Sequence, residues 1–116
     1  MAEFHRGLVF VGGLSGAFGV ALSAASAHSG GGNIAIAASF LLMHAPAFLA
    51  LSVLVSGTAR VGGAILACGL ALFCGDLLAR QFLGNPLFPY AAPTGGLLLI
   101  GGWLVVAASA MVARSR

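Results

Sequence analysis

"GLVFVGGLSGAFGVALSAASA", residues 7–27, decides the fold. It holds no charged side chain, and no Asp, Glu, Lys or Arg occurs anywhere from Gly7 to Ala59. A helix that crosses a bilayer needs ~20 consecutive, mostly apolar residues. This stretch meets that length, and reading outward from it gives three more at roughly 34–56, 61–82 and 91–113. The breaks between them carry turn chemistry. "HSGGGN" (28–33) separates the first pair, with Asn33 expected as a helix N-cap. "SGTAR" (56–60) separates the second pair and "LGNPLFPYAAP" (83–93) the third, where Pro93 suits the first turn of a helix.

Composition agrees. The chain of 116 residues is 60% hydrophobic and only 6% charged, against about 25% charged in a soluble domain. So few charges do not cover a water-facing surface, and the expected solvent is a lipid bilayer. The net charge of +3 comes wholly from scattered arginines. They form no basic stripe, so nucleic acid is not an expected partner. One integral membrane domain over residues 1–116 is expected, an all-α, four-transmembrane-helix antiparallel bundle, because short connections place neighbouring helices antiparallel.

Arg6, Arg60, Arg114 and Arg116 fall on one side of a four-span arrangement. Basic residues mark the cytoplasmic side, so both termini are predicted cytoplasmic. Arg6, the apolar run and Ala25-Ser26-Ala27 imitate a cleavable signal peptide. The run is longer than the 7–15 residues of a usual signal core and is read as a retained span.

Span one also carries a packing pattern. Gly12 and Gly16 form a GxxxG pair, and Ser15, Gly19 and Ser23 continue a small residue at every fourth position. Such rows let helix backbones approach closely in lipid, so this row is expected against another helix. Span three opens "GGAILACGLAL" (62–72), which echoes Gly12, Gly13, Ala17, Gly19 and Ala21-Leu22 at an offset of fifty and suggests a parallel internal repeat.

Several segments together resemble a known family. They are Ala27-His28 ending the first span, "FLLMHAPAFLAL" (40–51), "LFCGD" (72–76), "APTGG" (92–96) and "GGW" (101–103). In this order and spacing they resemble the bacterial inner-membrane family of unknown function numbered 423, distantly related to mitochondrial transmembrane protein 256. The resemblance covers nearly the whole chain. The family's Tyr-x-x-x-His has Phe40 in place of the tyrosine and keeps His44. Its Thr-Pro-x-Gly-Gly becomes Ala92-Pro93-Thr94-Gly95-Gly96, and its Ser-Gly-Ser becomes Cys74-Gly75-Asp76. The last departure separates Asp76 from any role shared across the family. The resemblance implies a four-helix inner-membrane protein and brings no reaction with it.

Two places attract attention as a polar site. Asp76 and Arg80 stand at i, i+4 with the acid first, the favourable order on a helix. Counting from Arg60, Asp76 lies ~24 Å along and Arg80 ~30 Å, so Arg80 reaches the outer interface. Thr94 and His28 are expected at the same level. The bland reading is a snorkelling ion pair that ends a helix; the functional one is a polar site on a pathway. His44 lies ~15 Å into span two, near the midplane, two residues before Pro46. It is either a hydrogen-bonded interhelical histidine, with Ser15 or Trp103 as partner, or a proton relay or ligand site.

Other chemistry finds little support. His28 and His44 differ in depth by ~15 Å, so one chain does not easily offer two axial haem ligands at one level. Cys68 and Cys74 are ~9 Å apart along a helix, beyond the roughly 7 Å that a disulfide spans. Neither Cys-x-x-Cys nor a phosphate loop occurs, and no cofactor, metal or catalytic residue is expected. The leading expectation is a non-enzymatic structural or accessory protein of the bacterial inner membrane. It would pack with itself or with a larger membrane complex. A minimal transporter or proton-handling unit using Asp76, Arg80 and His44 is the alternative. A haem- or quinone-contacting subunit of a respiratory complex is the third.

Overall fold

The computed structural model describes residues 4–29 and 31–112. Four helices account for most of them: α1 (Arg6–Ser29), α2 (Asn33–Ser52), α3 (Gly57–Phe82) and α4 (Ala91–Ser109), with no strand among the described residues. Each is long and apolar enough to cross a membrane. Large apolar side chains such as Phe18, Met43, Leu97 and Leu104 stand on the surface of the chain. Apolar helix faces with no protein of the chain over them suit lipid or another membrane helix.

The helix boundaries have local causes. His5 caps α1, its Nδ1 accepting the Leu8 N–H at 3.1 Å, and Ser56 caps α3, its Oγ accepting the Ala59 N–H at 3.1 Å. Asn33 does not cap α2. That position falls to Gly32, at φ 67°, and Asn33 is the first helical residue. Glycine takes the left-handed backbone without strain, so the turn shifts the cap one residue back. Tyr90 enters α4 with φ 68°, and Pro93 sits in the first turn, where its missing N–H costs nothing. α2 ends at Ser52 rather than near 56, because the chain turns before Ser56 to begin α3. α4 is helical to Ser109; Arg114 and Arg116 lie outside the described residues.

The helices pack as two tight pairs, α1 on α2 and α3 on α4, with α2 and α3 joining them. Glycine makes each pair close. A Cβ at Gly12 would lie 3.1 Å from the Ala45 carbonyl oxygen, and one at Gly19 would lie 2.7 Å from Leu42 Cγ. In the second pair, a Cβ at Gly62 would lie 3.1 Å from the Gly102 oxygen, and one at Gly69 would lie 2.9 Å from the Gly95 oxygen. Gly12 and Gly19 match Gly62 and Gly69 at the offset of fifty, so equivalent positions close both pairs. Leu66, Leu70, Phe48 and Leu51 fill the core between them.

The four expected helices are present and lie in an open array. Among the described residues the α4 backbone approaches only α3, and α1 and α4 do not meet. The chain measures 49 × 30 × 17 Å, a flattened array rather than a square section. Each glycine seam draws its helix to one neighbour, and among the described residues no such seam joins the two outer helices.

Candidate functional site

Asp76 is fully buried, at 0% exposure. Its Oδ2 accepts from Arg80 Nε at 2.9 Å, one turn further along α3. Its Oδ1 accepts the backbone N–H of Leu87 at 2.8 Å, from the α3–α4 connection. One carboxylate therefore fastens the end of α3 to the connection that leads into α4. The Arg80 side chain is 45% exposed, so its charge reaches outward while the acid stays covered.

Thr94 and His28 are not part of this arrangement. Thr94 is exposed, and its backbone N–H closes a turn onto the Tyr90 oxygen at 3.0 Å. His28 is exposed in the last turn of α1, a helix that barely touches α3. The depth estimate concerns only their level and does not address the side of the array on which they fall. Besides Arg80, the group that joins Asp76 is the backbone N–H of Leu87 in the connection, which residue-type reasoning does not see.

His44 is the second polar centre, 2% exposed in the middle of α2. Its Nε2 accepts the Trp103 Nε1–H at 3.1 Å, across from α4. Trp can only donate, so Nε2 is unprotonated and Nδ1 carries the hydrogen. That N–H donates to the Phe40 oxygen at 2.8 Å. The ring is neutral, with both nitrogens satisfied. Phe40 stacks on it with 6.1 Å between centroids, and Trp103 lies tilted at 5.7 Å. Ser15, the other partner expected from depth, instead donates to the Leu41 oxygen at 2.6 Å. Pro46 supplies no N–H to the Leu42 carbonyl. The neighbouring carbonyls of that turn, Phe40 and Leu41, are the ones that collect side-chain donors.

Of the small-residue row on α1, Gly12, Ser15 and Gly19 are buried and Gly16 is half-buried, where a Cβ would lie 3.6 Å from Ala45 Cβ. Ser23 is exposed and does not continue the row into a helix contact. Steps of four residues advance 40° around a helix with 3.6 residues per turn, so two steps beyond Ser15 the row has turned off the interface. The Gly62, Gly69, Gly95 and Gly102 seam was not singled out beforehand, although its signal is legible as glycines seven apart on each helix.

Asp76 and His44 share no hydrogen-bond partner, so the structure does not join them into one site. Cys74 is buried with its thiol toward the Ala37 oxygen at 3.7 Å, and Cys68 is exposed on the same helix. Among the described residues no group of three His, Cys, Asp or Glu is placed to hold a metal ion.

Residues 15–96 match the model of a family described as a protein of unknown function (DUF423). No solved structure matches the chain.

Proposed function

Because the chain belongs to the DUF423 family, whose function is unknown, we propose from its geometry that it is a non-enzymatic accessory protein of the bacterial inner membrane that works by lateral helix contact. One observation carries the reading: the outer helices are largely uncovered. Only four of the 24 residues of α1 and four of the 19 of α4 are buried. An array open at both edges presents helix faces to a second copy or to a larger membrane complex. Within a bilayer such contacts rest on close packing and hydrogen bonds rather than on hydrophobic exclusion. Among the described residues, mainly short connections lie outside the four helices.

The orientation belongs to the same proposal. Neighbouring helices run antiparallel, which the order of contacts supports: Gly12 lies by Ala45 and Gly19 by Leu42, while Gly62 lies by Gly102 and Gly69 by Gly95. Both termini are cytoplasmic, supported by the placement of Arg6 and Arg60 at one end of the array. Reporter fusions after Arg116 and within residues 29–33 test this, and an outward C-terminus would refute it.

Purification in a mild detergent or native nanodisc, with mass determination, tests the function. The expected result is a stable oligomer or a defined co-purifying membrane protein. Cysteines placed at exposed Phe18 and Leu104 should cross-link to it. A monodisperse monomer without cross-links refutes the proposal. The transporter or proton-handling alternative draws less support, since Asp76 and His44 spend their hydrogen bonds on separate structural partners.

A further inference from the structure

A cleft of about 690 Å3 opens between α2 and α4, where their backbones stay apart. Small-molecule sites span roughly 300–1,000 Å3. Four rings line it: Phe40, His44, Phe73 and Trp103. Gly96 lies on the α4 wall, and a Cβ there would meet nothing within 4 Å. Exposed Met43, Leu97 and Ile100 border it, so the mouth opens on the lipid-facing surface.

The polar content of this cleft is one hydrogen bond, from Trp103 Nε1–H to His44 Nε2. That bond selects among occupants. An alkyl chain uses neither group. A carbonyl can take the Trp103 N–H only by stranding His44 Nε2, and a buried group left unpaired is costly. A hydroxyl both accepts and donates. Inserted between the two, it accepts from Trp103 and donates to His44 Nε2, and nothing is left unpaired. Trp103 is 41% exposed and has room to give way, while His44 is held by Phe40. Flat rings pack well against aromatic walls. His44 also lies ~16 Å into α2, near the middle of a hydrocarbon layer ~30 Å thick. An amphiphile whose hydroxyl stays at headgroup level does not reach it.

We propose that this cleft binds the ring of a membrane-soluble phenol or quinol, with the ring hydroxyl bridging Trp103 and His44. The proposal rests on the membrane-spanning reading and is independent of the accessory role.

Trp103 is the single tryptophan of the chain, so the site carries its own reporter. The full chain, in phosphatidylcholine nanodiscs, is titrated with decylubiquinol kept reduced. Trp103 fluorescence should fall saturably. Excess 4-decylphenol should reverse the fall, and decylbenzene should not. Gly96→Leu fills the cleft from a position with open space. It should lose the saturable component while keeping the helical circular-dichroism signal. Gly13→Leu, on α1 with nothing within 4 Å of its Cβ, should retain it. His44→Phe keeps a ring but removes the acceptor, and should lower the competition by 4-decylphenol to that of decylbenzene. Quenching that is linear in concentration and equal in Gly96→Leu is bilayer partitioning and overturns the site. Decylbenzene competing as well as the phenol overturns the hydroxyl bridge and the ligand class. A parent chain that does not incorporate into nanodiscs refutes the membrane reading and the proposal with it.

Discussion

Gly95 and Gly96 are neighbours in α4 with opposite surroundings, and replacing each by alanine should separate packing from helix propensity. A Cβ at Gly95 would lie 2.6 Å from the Phe73 nitrogen and 2.9 Å from the Gly69 oxygen and the Phe73 Cα. Carbon contacts are optimal at about 3.5–4.0 Å, so the new methyl is ~1 Å too close. All three atoms are backbone of α3 and cannot rotate away. α3 and α4 must separate, and a gap of roughly 0.5–1 Å forfeits a quarter to a half of each contact along the seam. Overpacking of this kind costs about 1–3 kcal/mol. At Gly96 the same methyl meets nothing within 4 Å. Both substitutions gain up to ~1 kcal/mol of helix propensity. That gain is common to both, so Gly95→Ala should be less stable than Gly96→Ala by about 1–3 kcal/mol. Equilibrium unfolding in mixed mild-detergent and dodecyl sulfate micelles, followed by circular dichroism, measures the difference. Gly69→Ala should resemble Gly95→Ala. The double variant should cost less than the sum, because each methyl presses on the carbonyl of the other position. Equal midpoints for Gly95→Ala and Gly96→Ala would refute the seam.

The ion pair makes a second test. Asp76→Asn should lower the thermal midpoint and Arg80→Gln added to it should recover part of the loss, while additive losses would show that the two side chains do not act together. Trp103→Phe leaves His44 Nε2 without its donor and should cost about 1–3 kcal/mol; adding His44→Phe should return part of it, and full additivity in thermal unfolding would contradict the bond. Gly19→Leu should lose folded protein on detergent size exclusion, because even a Cβ there comes within 3.1 Å of the Leu42 nitrogen; a variant as stable as the parent would separate α1 from α2. Ser15→Ala should cost only ~0.6 kcal/mol in the same unfolding assay, the average for interhelical hydrogen bonds in lipid. A loss of several times that would mean the Leu41 carbonyl has no other donor.

The four spans were legible because apolar length is a one-dimensional signal. Asn33 and Pro93 marked the starts of α2 and α4 closely, whereas the third span, expected from 61, begins at Gly57. The end of α2 was not legible: Val53, Leu54 and Val55 continue the apolar run through a turn, and composition does not register a change of direction. Which helices touch was harder still. Gly12 and Gly19 announced a contact on α1 without naming its partner, and in an apolar solvent every face is chemically acceptable. Backbone approach decided the matter, and backbone approach follows from the match between two surfaces. The same limit applied at Asp76. Its i, i+4 partner could be counted along the chain, but the Leu87 N–H depends on how eight residues between α3 and α4 turn back, and counting does not give that.

The duplicated glycine seams bear on how the chain is made. The atoms nearest to a Cβ at Gly12 or Gly19 belong to α2, and those nearest to a Cβ at Gly62 or Gly69 belong to α4; only at the neighbouring Gly63 are they Leu8 and Leu51 of the first pair. A nascent chain that has delivered α2 to the membrane already holds everything its first seam needs, while α3 and α4 are still being synthesised. Chains fold from the N-terminus as segments emerge. Insertion can thus proceed as two successive closures, each local in sequence. No helix has to wait unpaired in the lipid for a distant partner.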